Sequence, residues 1–374
     1  MNVLGDKHVK YLHIFASRDL KFYTPLVKLI GDKKNGFNWD DTVFLVTHKS
    51  VYEALHKNCN MVLDEDASEW YYKYEKNCDW FISHGFIDHK RALLLPKRIQ
   101  KKIVYRYWGG RKPIPEYIHG INLKNISIFF YRLTYRMLYS RMFGHFAMIG
   151  IANLVDEIDL RKMDKRTPMF ILPYGSSEYE LVKKYTKENT KSSNELRIMI
   201  GHSSIRSEKH IYYIDLLQRF KDENIRIYVP ISYGDMDYAH EINEYVKNNG
   251  IDNVVLLNEY MPIEEYIKLL CSIDIAVLDG ETSNALGNIH IHLSFGNTLY
   301  VSRTGVVHSA LNERKIPHHY VDELKTIDFN CFSKLLPISY DSVSDDFKVQ
   351  PSEYYIKCWK EAYDFLDSLK KLNK

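Results

Sequence analysis

What this chain of 374 residues lacks narrows its possibilities first. Its five cysteines, Cys59, Cys78, Cys271, Cys331 and Cys358, form no CxxC pair, which argues against a zinc cage or a disulfide framework and for a reducing compartment. No apolar run reaches the roughly 18 residues that a membrane-spanning helix needs. The opening residues, MNVLGDKHVKYLHIF, carry neither the apolar core nor the small-residue cleavage site of a secretory leader. The expectation is a cytoplasmic protein whose membrane contact, if it has one, is peripheral. No internal repeat is present, and 45% hydrophobic with 26% charged residues is the composition of a folded chain. Acid is nearly missing from positions 89 to 155, where Glu116 stands alone against thirteen Lys and Arg between Lys90 and Arg141, although the whole chain carries a net charge of only +3. Such a patch attracts an anion, whether phosphate, nucleic acid or a membrane surface.

What is present reads as two α/β domains, since the length is about twice that of a common domain. In the second half, Leu196–Ile200, Arg226–Val229, Val254–Leu257, Ile273–Leu278 and Leu299–Ser302 are strand-like, and stretches of helical periodicity separate them. That alternation with short loops predicts a parallel, doubly wound sheet. The first half repeats the pattern at His13–Ala16, Thr42–Val46, Trp80–Ser83 and Ile103–Tyr107, with Phe22–Ile30 helical. The polar run KKYTKENTKSSN is the natural linker. The expected division is residues 1–185 and 186–350, with residues 351–374 an amphipathic helix that packs back toward the first domain.

In open parallel sheets, ligands bind beyond the carboxyl ends of the strands. In the second half these ends are Gly201, His202, Ser203 and Ser204; Tyr233; Glu259; and Glu281 to Asn288 with His290. Glycine allows close backbone approach, Ser and Asn donate hydrogen bonds, and each loop enters a helix, so both outer loops suit a diphosphate; simple helix capping by Ser203 and Ser204 is the plain alternative. Two acidic triplets, Asp64-Glu65-Asp66 and Asp235-Met236-Asp237, imitate a metal-binding DxD motif but lack the strand flank that would aim both carboxylates at one ion, so no metal is expected. His84, before Gly85 at a strand end, suits a general base with a pKa near working pH; a turn histidine satisfied by backbone is the alternative. In NISIFFYRLTYRMLYSRMF, Arg132, Arg136 and Arg141 fall on one broad side of a helix with aromatics and Met opposite, the composition of a helix lying on anionic lipid or of an ordinary packed amphipathic helix. No nucleic-acid-binding motif accompanies the charge.

Taken together in their order, several segments resemble the bacterial transferases of 4-acetamido-4,6-dideoxygalactose (Fuc4NAc), a 4-alpha-L-fucosyltransferase-like family that extends the lipid-linked precursor of enterobacterial common antigen from a dTDP-sugar. They are His84-Gly85, Tyr107-Trp108-Gly109, Arg141 with Gly144-His145-Phe146, the IGHSS segment with His210, VPISYG with Tyr233, Tyr266 to Asp274, and LGNIHIHLSFG. The resemblance implies the GT-B class, two Rossmann-like domains facing across a cleft, with the donor in the second and the acceptor in the first. It implies no cofactor and no metal, the nucleotide sugar being a substrate. His202 stands where the family tends to have Asn, and Ser283-Asn284-Ala285 replaces a Gln-rich stretch, so the donor sugar can differ. On this reading Gly201, Ser203, Ser204, Gly287, Asn288 and His290 hold the diphosphate, His202 and Asn284 bind the donor, and Tyr233, Glu259 and Glu281 lie near base, ribose or sugar. His84, or else Asp88 or Asp19, serves the acceptor hydroxyl, and Arg106, Trp108, Arg132, Arg136 and Arg141 meet the lipid-linked saccharide and the inner face of the membrane. A nucleotide-sugar epimerase of the same architecture and a noncatalytic sugar-nucleotide or nucleic-acid binding module are the rival readings.

Overall fold

Thr42–Val46 (TVFLV) is buried at every position, a pattern that suits the interior of a parallel sheet covered on both faces. In the computed structural model the described residues are 3–66, 69–85, 94–107, 134, 137, 140–162, 164–175, 178–188, 195–280 and 285–372. The chain divides into two units, Met1–Ser176 with Pro351–Lys374, and Ser177–Gln350.

The first unit holds β1 (Val9–Phe15), β2 (Thr42–Val46), β3 (Met61–Leu63), β4 (Cys78–His84), β5 (Ile103–Arg106), β6 (Met148–Ile151) and β7 (Met169–Ile171). They form one sheet in the order β3-β2-β1-β4-β5-β6-β7, every pairing parallel. Side chains alternate across β1: Tyr11 and Phe15 enter one core, Leu12 and Ile14 the other. Helices α1 (Leu20–Gly31), α2 (Lys49–Leu55) and α3 (Leu154–Arg161) are among the connections. The edge strands β3 and β7 are three residues each, too short for a periodic signal, and β6 (MIGI) sits directly behind the aromatic segment that reads as helix.

The second unit holds β8 (Leu196–Ile200), β9 (Ile225–Pro230), β10 (Val254–Leu257), β11 (Ile275–Leu278), β12 (Thr298–Val301) and β13 (His319–Tyr320), parallel in the order β10-β9-β8-β11-β12-β13. Its helices include α4 (Tyr179–Glu188), α5 (His210–Leu217), α6 (Met236–Asn248), α7 (Ile263–Ser272), α8 (Leu286–Ser294) and α9 (Val306–Glu313). Helix α4 belongs with this unit because Lys184 and Tyr185 both bond Glu264 of α7, at 2.8 and 3.0 Å, and the Cys271 thiol donates to the Tyr185 carbonyl. Strand order reverses between β8 and β11, so α5 and α8 leave the sheet on opposite faces if both crossovers are right-handed.

The last helix, α10 (Ser352–Leu372), buries Tyr355, Cys358, Trp359, Ala362, Tyr363 and Leu366, a stripe of helical period that joins one core of the first unit. Tyr363 stacks on Tyr11 with centroids 3.7 Å apart, and the Trp359 indole donates to the Pro173 carbonyl at 2.7 Å. Trp359→Phe leaves that carbonyl without its donor and is expected to destabilise the first unit by about 1–3 kcal/mol. Urea unfolding followed by tyrosine and tryptophan fluorescence checks this, and an unchanged midpoint would show that water replaces the indole.

Candidate functional site

The switch point of the second sheet places the loop after β8 beside the loop after β11. Gly201 leaves β8 with φ +70, and a Cβ there would overlap the Glu208 carboxylate and the His210 imidazole. Glycine is required for both the backbone angle and the space. Neither Ser203 nor Ser204 caps a helix. A 3-10 turn, Arg206–Glu208, intervenes, and α5 begins only at His210, after Lys209 in the left-handed region at φ 52. Ser204 instead ties this loop to the next: its backbone N–H and its hydroxyl both donate to the Tyr233 carbonyl, at 2.9 and 2.8 Å, and it forms a parallel bridge with Gly234. Its hydroxyl proton is therefore engaged within the fold, which leaves Ser203 as the hydroxyl of the pair closest to His202, at 3.4 Å from Nε2.

Glu208 is the residue the sequence pattern does not reveal. It is 4% exposed, accepts the His202 backbone N–H at 2.9 Å, contacts the His202 Nδ1, and lies 3.4 Å from the His210 Nε2. Burial raises its pKa, but the hydrogen bonds of His202 and His210 and the charge interaction with His202 outweigh that and hold it at about 2. Tyr233, half exposed, stands edge-on to the His202 ring at 6.3 Å.

On the other side of the switch point, Ala285 precedes α8 with φ 61, a strained angle for a residue with a side chain. The first-turn amides of Leu286, Gly287 and Asn288 are unclaimed by the helix pattern itself. Gly287 is exposed, and nothing lies within 4 Å of where its Cβ would be. Asn288 hydrogen-bonds Tyr266 of α7. His290 lies one turn further in, its ring 6.0 Å from Phe347, and burial lowers its pKa to about 4. Glu259 is exposed after β10. At the carboxyl ends of β11 and β12 a cavity of about 490 Å³ is bordered by Lys209, Tyr213, Asp279 and Arg303. Asp279 accepts from the Lys209 ammonium at 2.7 Å and the Tyr213 hydroxyl at 2.8 Å. Glu281 and Asn284 lie outside the described residues.

The first sheet reverses between β1 and β4, and there His84 pairs in register with Phe15. His84 is 2% exposed: its Nε2 meets the His13 Nδ1 at 2.9 Å and its Nδ1 meets the Tyr174 hydroxyl at 3.0 Å, while His13 reaches the Tyr363 hydroxyl at 2.7 Å. Burial first, then His13 and Arg106, push the His84 pKa well below its ordinary value, and burial lowers that of His13 to about 3. The expected base with a pKa near working pH is thus a neutral, enclosed imidazole, and side chains rather than backbone satisfy it. Asp19 is partly exposed at the start of α1, and its side chain does not cap the helix.

Arg106, grouped by sequence with the membrane-facing cations, points inward instead. It is 3% exposed, donates to the Leu172 and Tyr107 carbonyls and lies over the Tyr174 ring at 5.0 Å. Strand pleat turned it into the sheet where composition counted it as surface. Arg141 is exposed, and the Met142 and Phe143 beside it are core residues. Asp88, Trp108, Arg132 and Arg136 lie outside the described residues. Both acidic triplets serve the fold: Asp64 accepts from Lys73 and from Tyr74, each at 2.6 Å, and Asp235 caps α6 through the Tyr238 N–H at 3.0 Å while pairing with Arg206. Among the described residues no helix is long and apolar enough to cross a membrane.

The architecture is similar to that of several solved proteins. A glycosyltransferase from Rickettsia africae superposes with a TM-score of 0.64 at 12% identity, over 97% of this chain and 99% of that one. Anabaena Alr3699/HepE, solved in complex with UDP-glucose, gives 0.57 at 13% identity, over 95% of this chain and 100% of that one. A putative UDP-N-acetylglucosamine 2-epimerase from Listeria monocytogenes gives 0.52 at 12% identity, over 96% and 97%. The fold is of the GT-B class. A transferase and an epimerase share it, so the fold does not choose between them. The family model described as 4-alpha-L-fucosyltransferase, glycosyl transferase group 56, matches residues 68–360.

Proposed function

This chain belongs to the 4-alpha-L-fucosyltransferase family, glycosyl transferase group 56, and is a nucleotide-sugar-dependent glycosyltransferase; we propose that it moves Fuc4NAc or a related deoxyamino sugar from a nucleoside diphosphate to a lipid-linked saccharide at the inner face of the cell membrane, without a metal or cofactor. The observation that carries the donor side is the pair of loops at the β8/β11 switch point: the glycine exit of β8 with His202 and Ser203, and the first-turn amides of α8 with Asn288. An anion between them meets N–H donors and a helix N-terminus, the groups that stabilise a departing diphosphate. The Lys209 ammonium and the cavity beside it add a cation and space for the remainder of the donor. Tyr233 and Glu259, exposed on neighbouring loops, complete the surroundings of base, ribose or sugar.

On the acceptor side Asp19 is the described carboxylate that solvent reaches near the β1/β4 switch point, and it suits the role of base better than the enclosed His84. His84 then acts through Tyr174, whose hydroxyl it orients. Catalysis rests on bringing the two substrates together and on fixed donors at the leaving group. The exposed Arg141 is the described residue of the surface proposed for the lipid pyrophosphate and anionic headgroups.

A thermal-shift panel of dTDP- and UDP-sugars tests the donor class, since a true donor stabilises the fold by about 2.7 kcal/mol at a hundred times its Kd. Asn288→Ala and Ser203→Ala are each expected to weaken that donor about tenfold, the loss of one hydrogen bond to a charged group. If both variants keep the wild-type midpoint shift, the donor is held elsewhere. Incubation with donor alone separates transfer from epimerisation: an isomerised sugar would contradict the transferase reading.

A further inference from the structure

We propose that Glu208 is a positioning residue for sugar transfer: it fixes His202 and sets a carboxylate behind its Nδ1, so that His202 donates Nε2–H to the diphosphate as it departs. The inference rests on the donor site proposed above and adds a role to a residue outside the loops that define that site.

The geometry is specific. One carboxylate oxygen accepts the His202 backbone N–H at 2.9 Å, and the other contacts the Nδ1 of the same residue. Backbone and ring are thus held by one side chain, which fixes the loop and leaves Nε2 as the ring's remaining polar atom, on the side of Ser203. His210 approaches the same carboxylate from the first turn of α5 at 3.4 Å, and a Cβ on Gly201 would occupy the space of both. The other titratable groups facing this cluster are Tyr233 after β9, Tyr238 of α6 against the His210 ring, and Tyr266 of α7. Among these described groups no second acid competes for His202. A carboxylate buried to 4% exposure is costly unless its partners share the charge, and here both partners are imidazoles.

The chemistry closes without a co-reactant. As the bond between the anomeric carbon and the phosphate oxygen breaks, its electron pair stays on that oxygen, the acceptor oxygen forms the new bond to carbon, and the acceptor hydroxyl's proton passes to the base proposed above, Asp19. Negative charge grows on the diphosphate as the bond breaks, while His202 donates to it. The hydrogen bond strengthens there and the proton remains on His202, so the effect falls on the chemical step. A histidine so held is oriented as a ligating or catalytic histidine commonly is, by a carboxylate behind its other nitrogen.

The test uses the full chain with the donor identified by the panel and its acceptor. Glu208→Gln keeps the volume and an oxygen acceptor but removes the charge. It is expected to lower kcat by about 100-fold with donor KM within threefold, the lower end of the loss on removing one preorganised donor. His202→Gln is expected to match it, and the double variant to be no worse than the poorer single, because the two act as one unit. His202→Gln leaves Glu208 partnered by His210, so it carries the test if Glu208→Gln does not fold. A rise in donor KM at unchanged kcat, or single effects that multiply in the double variant, overturns the proposal and leaves Glu208 as a support of loop shape. If wild type binds no nucleotide sugar in the panel, the donor site itself has failed; if it binds and transfers while both variants keep full kcat, only the role of Glu208 has.

Discussion

Replacing Gly201 by Ala is expected to lower donor affinity and kcat/KM by at least 100-fold while the second unit remains folded. The left-handed angle at φ +70 costs an alanine about 1 kcal/mol. Steric overlap matters more: the new methyl would run into the Glu208 carboxylate and the His210 imidazole, both buried and engaged with each other. Neither is the far end of a flexible surface chain, so relief must come from the loop. A displaced loop loses the alignment of the His202 and Ser203 donors, and a misplacement of about 1 Å at a reacting centre can cost 100-fold. Donor titration together with steady-state kinetics measures the effect, and the melting temperature separates it from unfolding. Wild-type affinity in a folded variant would mean that this loop does not touch the donor.

Acid is expected to destabilise the first unit above the pH range in which ordinary carboxylates titrate. His13, with a folded pKa of about 3, and His84, pushed well below 6.5, bind their protons less readily folded than unfolded. Such groups contribute stability that is fully present above the unfolded value near 6.5 and is lost as pH falls below it. Between pH 7 and pH 5 His13 costs about 2 kcal/mol by linkage, at 1.36 kcal/mol per pKa unit, and His84 adds to the loss in the same direction. Asp156 opposes them: burial first raises its pKa to about 6, so the folded state takes up a proton in the same window and regains about 1 kcal/mol. His13 and Asp156 together leave a net loss of roughly 1 kcal/mol, which His84 deepens, so Tm falls by at least about 2–4 °C for a unit of this size. Scanning calorimetry at pH 7, 6 and 5 checks it, with His84→Asn expected to flatten the slope. A midpoint that does not move between pH 7 and pH 5 would show that the two imidazoles are hydrated.

The second sheet was legible because its strands are bounded by glycine, proline and polar loops, and its helices are periodic. Leu196–Ile200 and Val254–Leu257 coincide with β8 and β10. The first sheet was less so. Strands β3 and β7 are three residues long, a run with no period that separates strand from helix, and β6 follows in sequence on the aromatic segment that reads as helix. The loops at the carboxyl ends could be named from strand order alone, yet their internal division could not. Ser204 and Ser203 look alike in sequence, but one is consumed by the Tyr233 carbonyl and the other lies against His202. Glu208 was missed because a glutamate between Ser207 and Lys209 reads as a solvated turn. Only the left-handed Lys209, which delays α5, folds the carboxylate under Gly201.

By itself the sequence determined the two α/β units, the carboxyl-edge loops and the family resemblance, because hydrophobic period, turn residues and motif order are local properties of a chain. The tertiary structure decided what each polar residue does there. Burial and hydrogen-bond partners come from elements far apart in sequence: Tyr363 reaches His13 across 350 positions, Leu172 receives Arg106 across 66, and Asp279 takes Lys209 across 70. Whether an ionisable side chain is a surface charge, an enclosed neutral ring or a bridged carboxylate depends on its dielectric and its neighbours. Neither is written in the residue's own stretch of chain.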